Sequence, residues 1–204
     1  MKGIATDPKP AAAPRDNREA ILGAVSRVIA RRGIRGLRIE DVACEAGVSA
    51  ALLYYHFGSR AGLVKAALEH ASEQAPSTAL RRPSDQNGFD AVTAALEAEL
   101  GDDTAVRDNA VVWGEATASA IFERELRPDV KHVTASWCAT VAEAIREGID
   151  DGSIRSDVVP EEASDMLITL VDGLCQRWLA GTIGRERARE LLRKALTQTL
   201  ADPE

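Results

Sequence analysis

The stretch IEDVACEAGVSAALLYYHF, from Ile39 to Phe57, decides how this chain is read. Ile39, Val42, Ala43 and Ala46 recur at helical spacing and give a first short helix one apolar face. Gly47 then permits a left-handed turn that a side chain resists. Val48 fills the angle, and Ser49 offers a hydroxyl to an orphan backbone N–H at the start of a second helix. In that helix Leu53 and Phe57 pack inward, which leaves Ala50, Ala51, Leu52 and Tyr55 facing out. Two helices held at an angle by a short turn containing glycine form the helix-turn-helix pattern. Such a pair would set its second helix in a DNA major groove. An ordinary helical hairpin in an all-α protein has the same turn composition.

The longer string AGVSAALLYYHFGSRAGLV, preceded by GLRIEDVA, resembles the DNA-binding domain of the TetR family of bacterial transcriptional regulators. The matching residues are Ala46-Gly47-Val48-Ser49, Leu53-Tyr54, His56-Phe57, Ser59-Arg60 and Leu63, within a span of Arg15 to Ala75. The resemblance implies that Ser49, Tyr54, His56 and Arg60 hold phosphates, and that Ala50, Ala51, Leu52 and Tyr55 face bases. Arg60 stands where the family usually has Lys, and either cation pairs with a phosphate. Arg38 replaces the family's usual Ser or Thr; it cannot cap a helix as a hydroxyl does, but it can pair with a phosphate. Glu40 matches a position that reads a base in some relatives, while as a first-turn acid it also suits the helix dipole. Ala50, Ala51 and Leu52 offer only hydrocarbon, which suits thymine methyls. Specificity is therefore expected from methyl contacts, Tyr55 and DNA shape.

Charge divides along the chain. The 204 residues carry a net charge of −7, which on its own argues against a polyanionic partner. Residues 1–75, however, hold 11 Lys+Arg against 8 Asp+Glu, a balance of +3, and the remainder holds 14 against 24, a balance of −10. A basic module joined to an acidic body fits a DNA reader attached to another function. Ala, Leu, Glu and Arg dominate and strand signals are absent, so the fold class is all-α. Cys44, Cys138 and Cys175 are odd in number, lack metal spacing and read as reduced thiols in a cytoplasmic protein.

In chain order, residues 1–14 form a tail, disordered or a basic arm touching DNA. Residues 15–75 form the helix-turn-helix domain, and residues 76–204 form a C-terminal effector-binding and dimerisation domain. Asp16 or Asn17 caps a first helix with an apolar stripe of Ile21, Leu22, Val25, Val28 and Ile29, stopped by Gly33. Pro76, Pro83, Asn87 and Gly88 mark a linker. The body then offers helices on Phe89 to Leu100, on Ala110, Trp113, Thr117 and Ile121 up to Pro128, and on Val133, Trp137, Val141 and Ile145. Pro160 opens a broad apolar helix through Trp178, and Leu191 to Thr199 mark the last. Pro160-Glu161-Glu162-Ala163, Leu170 to Leu174 and Arg177-Trp178-Leu179 loosely resemble the BetI-type C-terminal domain. In the TetR pattern the last two helices pair with their symmetry mates, which implies a homodimer.

An apolar pocket with a few polar groups is a usual effector site. Trp113, Thr117, Trp137, Val141 and Cys175 are candidates to line one, with plain core as the other reading. The histidines, His56, His70 and His132, form no catalytic arrangement, and no Gly-rich phosphate loop occurs, so no catalytic group, cofactor or metal is expected. The resemblance implies a repressor on a partly palindromic double-stranded operator, released by a small apolar or amphipathic effector. An activator, or a helical scaffold that no longer reads DNA, are the alternatives.

Overall fold

The structure, a computed structural model, describes residues 14–74 and 86–201. The tail expected over residues 1–14 lies outside them, apart from Pro14, and so does most of the expected linker. Helix α1 (Pro14–Arg32) starts at that proline, so Asp16 and Asn17 lie inside the helix instead of capping it. Its stripe of Ile21, Leu22, Val25, Val28 and Ile29 is fully buried. Gly33 ends it at φ 69°, its N–H on the Ile29 carbonyl at 2.7 Å.

Helices α2 (Ile39–Ala46) and α3 (Ala50–Phe57) are joined by the expected short turn. Gly47 sits at φ 67°, a conformation that L side chains resist. The Val48 N–H reaches the Ala43 carbonyl at 3.0 Å and the Gly47 N–H reaches that of Cys44 at 3.3 Å, which satisfies two end-of-helix carbonyls. Ser49 Oγ accepts the Leu52 N–H at 3.2 Å. Arg27 and Arg31 both clasp Glu45, at 2.8 and 2.5 Å, and Arg32 pairs with Asp41, so α2 is tied along α1. Helix α4 (Arg60–Gln74) follows, with Ser59 Oγ accepting the Gly62 N–H at 3.1 Å.

The body consists of α5 (Gly88–Ala98), α6 (Thr104–Phe122), α7 (Arg127–Asp150), α8 (Pro160–Leu179) and α9 (Arg185–Leu200). Pro160 stands in the first turn of α8 as expected. Pro128 does not end α6; it stands in the first turn of α7, after a short 3-10 turn over Arg124–Leu126. Asn87 and Gly88 are structured: the Asn87 side chain accepts the Asp90 N–H at 2.8 Å and caps α5. Gly88 is buried, and a Cβ on it would lie 2.2 Å from the Gly148 Cα of α7. The buried face of α6 also differs from the expected stripe. Ala110, Val112, Ala116, Ser119 and Ala120 are buried, whereas Ile121 is 65% exposed. The reason is that α6 packs against α1, α4 and α8 together, so a single stripe does not describe it.

Two apolar cores result. One joins α1 to α4 with Val112, Ala116 and Ala120 of α6 and Leu126, and so crosses the expected border after residue 75. The other gathers α5, α7, α8 and α9 around Leu96, Val141, Ile145, Leu167, Leu192 and Leu196. Glu97 of α5 binds Arg189 at 2.8 Å and also Arg193, which fastens α9 to α5. Among the described residues no helix is long and apolar enough to cross a membrane.

Candidate DNA-reading face and internal cavity

Helix α3 presents an uneven surface. Tyr55 is 83% exposed and Tyr54 51% exposed, with Ser49, Ala51 and His56 also open to solvent. The Tyr55 ring stands edge-on to His56, with centroids 5.2 Å apart. Ala50 and Leu52 are only half exposed, and Ala50 packs against the first core. The outward hydrocarbon is therefore Ala51 and the rim of Leu52, narrower than the sequence implies. Arg38 and Glu40 are exposed at the start of α2, and Arg38 makes no side-chain cap there.

Arg60, expected at a phosphate, also has partners within the chain. Its Nε donates to the Leu37 carbonyl at 3.1 Å and an Nη donates to that of Ile34. Those bonds fix the loop between α1 and α2 against the start of α4. Arg60→Ala is accordingly expected to cost about 1–3 kcal/mol of stability, because two part-buried carbonyls lose their donors. It should weaken binding to every DNA sequence alike, with an unchanged salt slope. An unchanged melting temperature with a slope reduced by about one would contradict this assignment.

The same loop touches the body. The Ile34 N–H donates to a Glu115 carboxylate oxygen on α6 at 2.9 Å. A Cβ on Gly33 would lie 2.6 Å from that carboxylate, so the glycine lets α6 approach. Lys65 of α4 pairs with Asp129 of α7 at 3.1 Å, and the Arg35 guanidinium sits 5.2 Å from the centroid of the Phe122 ring.

Two residues before Glu115, Trp113 enters a cavity bounded by α4, α6, α7, α8 and the end of α5. Leu68, Ala71, Val106, Ala110, Val133 and Val171 supply apolar wall, and Trp113, Trp137 and Cys175 line it as expected. Thr117 and Val141 do not. The Thr117 hydroxyl bonds back to the Trp113 carbonyl at 2.9 Å on an exposed face, and Val141 is fully buried in the second core. Trp178 lies outside the cavity, under the Arg107 guanidinium at 4.8 Å.

The cavity also has a polar lining. Trp113 Nε1 donates to Asp172 Oδ1 at 3.1 Å. Glu99 Oε1 and Trp137 Nε1 are buried without a hydrogen-bond partner. Burial, and next the Asp172 charge, push the Glu99 carboxyl up to about 7. Burial also raises Asp172, against the opposing Trp113 hydrogen bond. The Cys175 thiol is pushed up to about 12 by burial, then by Glu99 and Asp172, so it stays protonated. Among the described residues no cluster of potential metal ligands occurs.

The comparisons with known proteins agree with this geometry. Residues 21–67 match the family model of bacterial regulatory proteins, tetR family, and residues 90–201 match that of the BetI-type transcriptional repressor C-terminal domain. A solved TetR-family transcriptional regulator from a Rhodococcus species is 38% identical, with a TM-score of 0.86 over 91% of this chain and 99% of that one. The chain belongs to the TetR family. It is thus a DNA-binding transcriptional regulator and not an enzyme. This TetR-family chain is also 26% identical over 181 residues to the repressor BepR of Brucella suis, covering 83% of each chain. A transcriptional regulator from Saccharomonospora viridis, solved in complex with choline, is 26% identical, with a TM-score of 0.78 over 93% of this chain and 100% of that one.

Proposed function

We propose that two copies of this regulator bind an inverted-repeat operator as a repressor and that a small molecule in the cavity releases them. The observation that carries this reading is the short path from cavity to reading head. Trp113 of the cavity wall and Glu115, which holds Ile34 of the α1–α2 loop, lie two residues apart on α6. A ligand that favours one position of α6 thereby favours one position of α2 and α3.

Half-sites one DNA turn apart need recognition helices about 34–36 Å apart. A ligand that prefers a different spacing weakens operator binding by its differential affinity for the two states. Tyr54, Ser49 and His56 are exposed polar groups available to phosphates, and Arg38 is exposed at the start of α2. Tyr55, Ala51 and the edge of Leu52 are left to the bases. The relatives' repressor names support the sign of control, and the choline held by the Saccharomonospora viridis protein supports a small-molecule effector. The exposed Met166 and half-exposed Leu170 of α8 support pairing through that helix. Selection from random DNA by the full chain tests the reading: an inverted repeat is expected, and a single unrepeated site would contradict it.

A further inference from the structure

We infer that the cavity takes an organic ammonium ion that retains an N–H and carries an oxygen acceptor, held by Glu99, Asp172 and the two cavity tryptophans. The inference rests on the reading of this cavity as the effector site.

Charge is the first ground. Among the described residues lining the cavity, Glu99 and Asp172 are the charged side chains, and both are acids. The lining from α4, α6 and α7 brings no Lys, Arg or His to face them, and α8 adds only the Cys175 thiol and the Gln176 amide. Among the described residues the apolar cavity thus carries two carboxylates and no cation on its walls, and buried charges are ordinarily paired. Two indole rings in the same wall add faces that attract cations.

Unmet hydrogen bonds are the second ground, and they narrow the ligand. Glu99 Oε1 is buried and accepts from no group among the described residues. A quaternary ammonium has no N–H to give it; a primary or secondary ammonium does. Trp137 Nε1 is buried and donates to no group among the described residues. An indole N–H only donates, so its partner on the ligand is an acceptor, such as an ether or hydroxyl oxygen. Asp172 is already oriented by Trp113, at 3.1 Å, and presents a fixed charge instead of a mobile one.

Proton linkage gives the proposal a signature. Burial, and then the Asp172 charge, set the Glu99 carboxyl at about 7. A cation beside it favours the ionised form, so binding releases a proton at neutral pH. Cation affinity should rise with pH through about 7 and then level off.

The test is calorimetry on the full chain without DNA, which keeps it apart from any failure of operator reading. The probes are 2-phenoxyethylammonium, its smaller analogue 2-methoxyethylammonium, the neutral 2-phenoxyethanol, the anion phenoxyacetate, and the N-trimethylated phenoxyethyl cation. A phenoxyethyl or methoxyethyl ammonium should bind at least about tenfold tighter than the neutral alcohol and the anion. Trimethylation should cost about tenfold, because the Glu99 acceptor loses its donor. Asp172→Asn and Glu99→Gln should each lower ammonium affinity about tenfold and leave the alcohol unchanged, and Glu99→Gln should also flatten the pH profile. Equal binding of alcohol and ammonium, or no binding of either ammonium below about 10 mM, would overturn the proposal. Equal binding of the trimethylated cation would overturn its N–H requirement.

Discussion

Replacing Gly88 with alanine lowers the melting temperature by about 5–10 °C. The cause is a close backbone approach, since an added Cβ lies 2.2 Å from Gly148 Cα and 2.5 Å from Gly148 N. No rotamer relieves contact with a backbone, so α5 and α7 must separate. Gly148 in turn leaves no room on its other side, where a Cβ would meet Ile154 Cδ1 at 2.5 Å. Overpacking of this kind costs about 1–3 kcal/mol, and here the upper part of that range applies. For a chain of this size, 3 kcal/mol corresponds to roughly 6–12 °C. Gly23→Ala is the control, also inside a helix. Its Cβ meets only the Arg27 guanidinium, at 3.4 Å, so it should be neutral or stabilise by about 0.5–1 kcal/mol. Thermal melts followed by circular dichroism check both. Equal melting temperatures for the two variants would contradict the α5–α7 packing described above.

Replacing Tyr55 with alanine should erase most discrimination between operator and unrelated DNA, by about 1–3 kcal/mol at the positions it reads. Tyr55 is the most exposed large apolar residue described, at 83%. With Ala50 packed against the core and Leu52 half covered, it is the largest outward group on α3 that the proposed reading leaves for a base edge. A side chain that reads bases sets preference, whereas one that holds a phosphate sets affinity for all sequences alike. The variant should therefore keep non-specific binding and its salt slope while its selected motif degenerates. Binding-site selection with both proteins checks this, and an unchanged motif would contradict the role given to Tyr55.

The helix-turn-helix was legible because its determinants are local. Gly47 at φ 67° and the Ser49 cap on Leu52 act within a few residues, where sequence and geometry map directly. The cavity was legible only in part. Trp113, Trp137 and Cys175 line it, whereas Thr117 and Val141, one helical turn from the two tryptophans, do not. The wall follows α7 through Val133, Thr134 and Trp137 and then turns away, which is a tertiary fact. The Trp113–Asp172 bond spans 59 residues of sequence and has no local signature. A weaker signal did exist. Asp172 interrupts the apolar run Leu170 to Leu174, and an acid on such a face asks for a buried partner. The carbonyls beside Arg60 have no local signature either: a cation after a recognition helix suggests phosphate, and only the fold shows Ile34 and Leu37 next to it.

On the proposed reading α3 recognises a defined sequence in a symmetric site. The most direct measurement is selection of random duplex DNA by the full-length protein, followed by affinity for the winning sequence across salt concentrations. An inverted repeat with half-site centres about one or two helical turns apart, bound by two chains with falling affinity as salt rises, is the predicted result. Binding that is equally strong for every sequence, with no motif recovered, would contradict it.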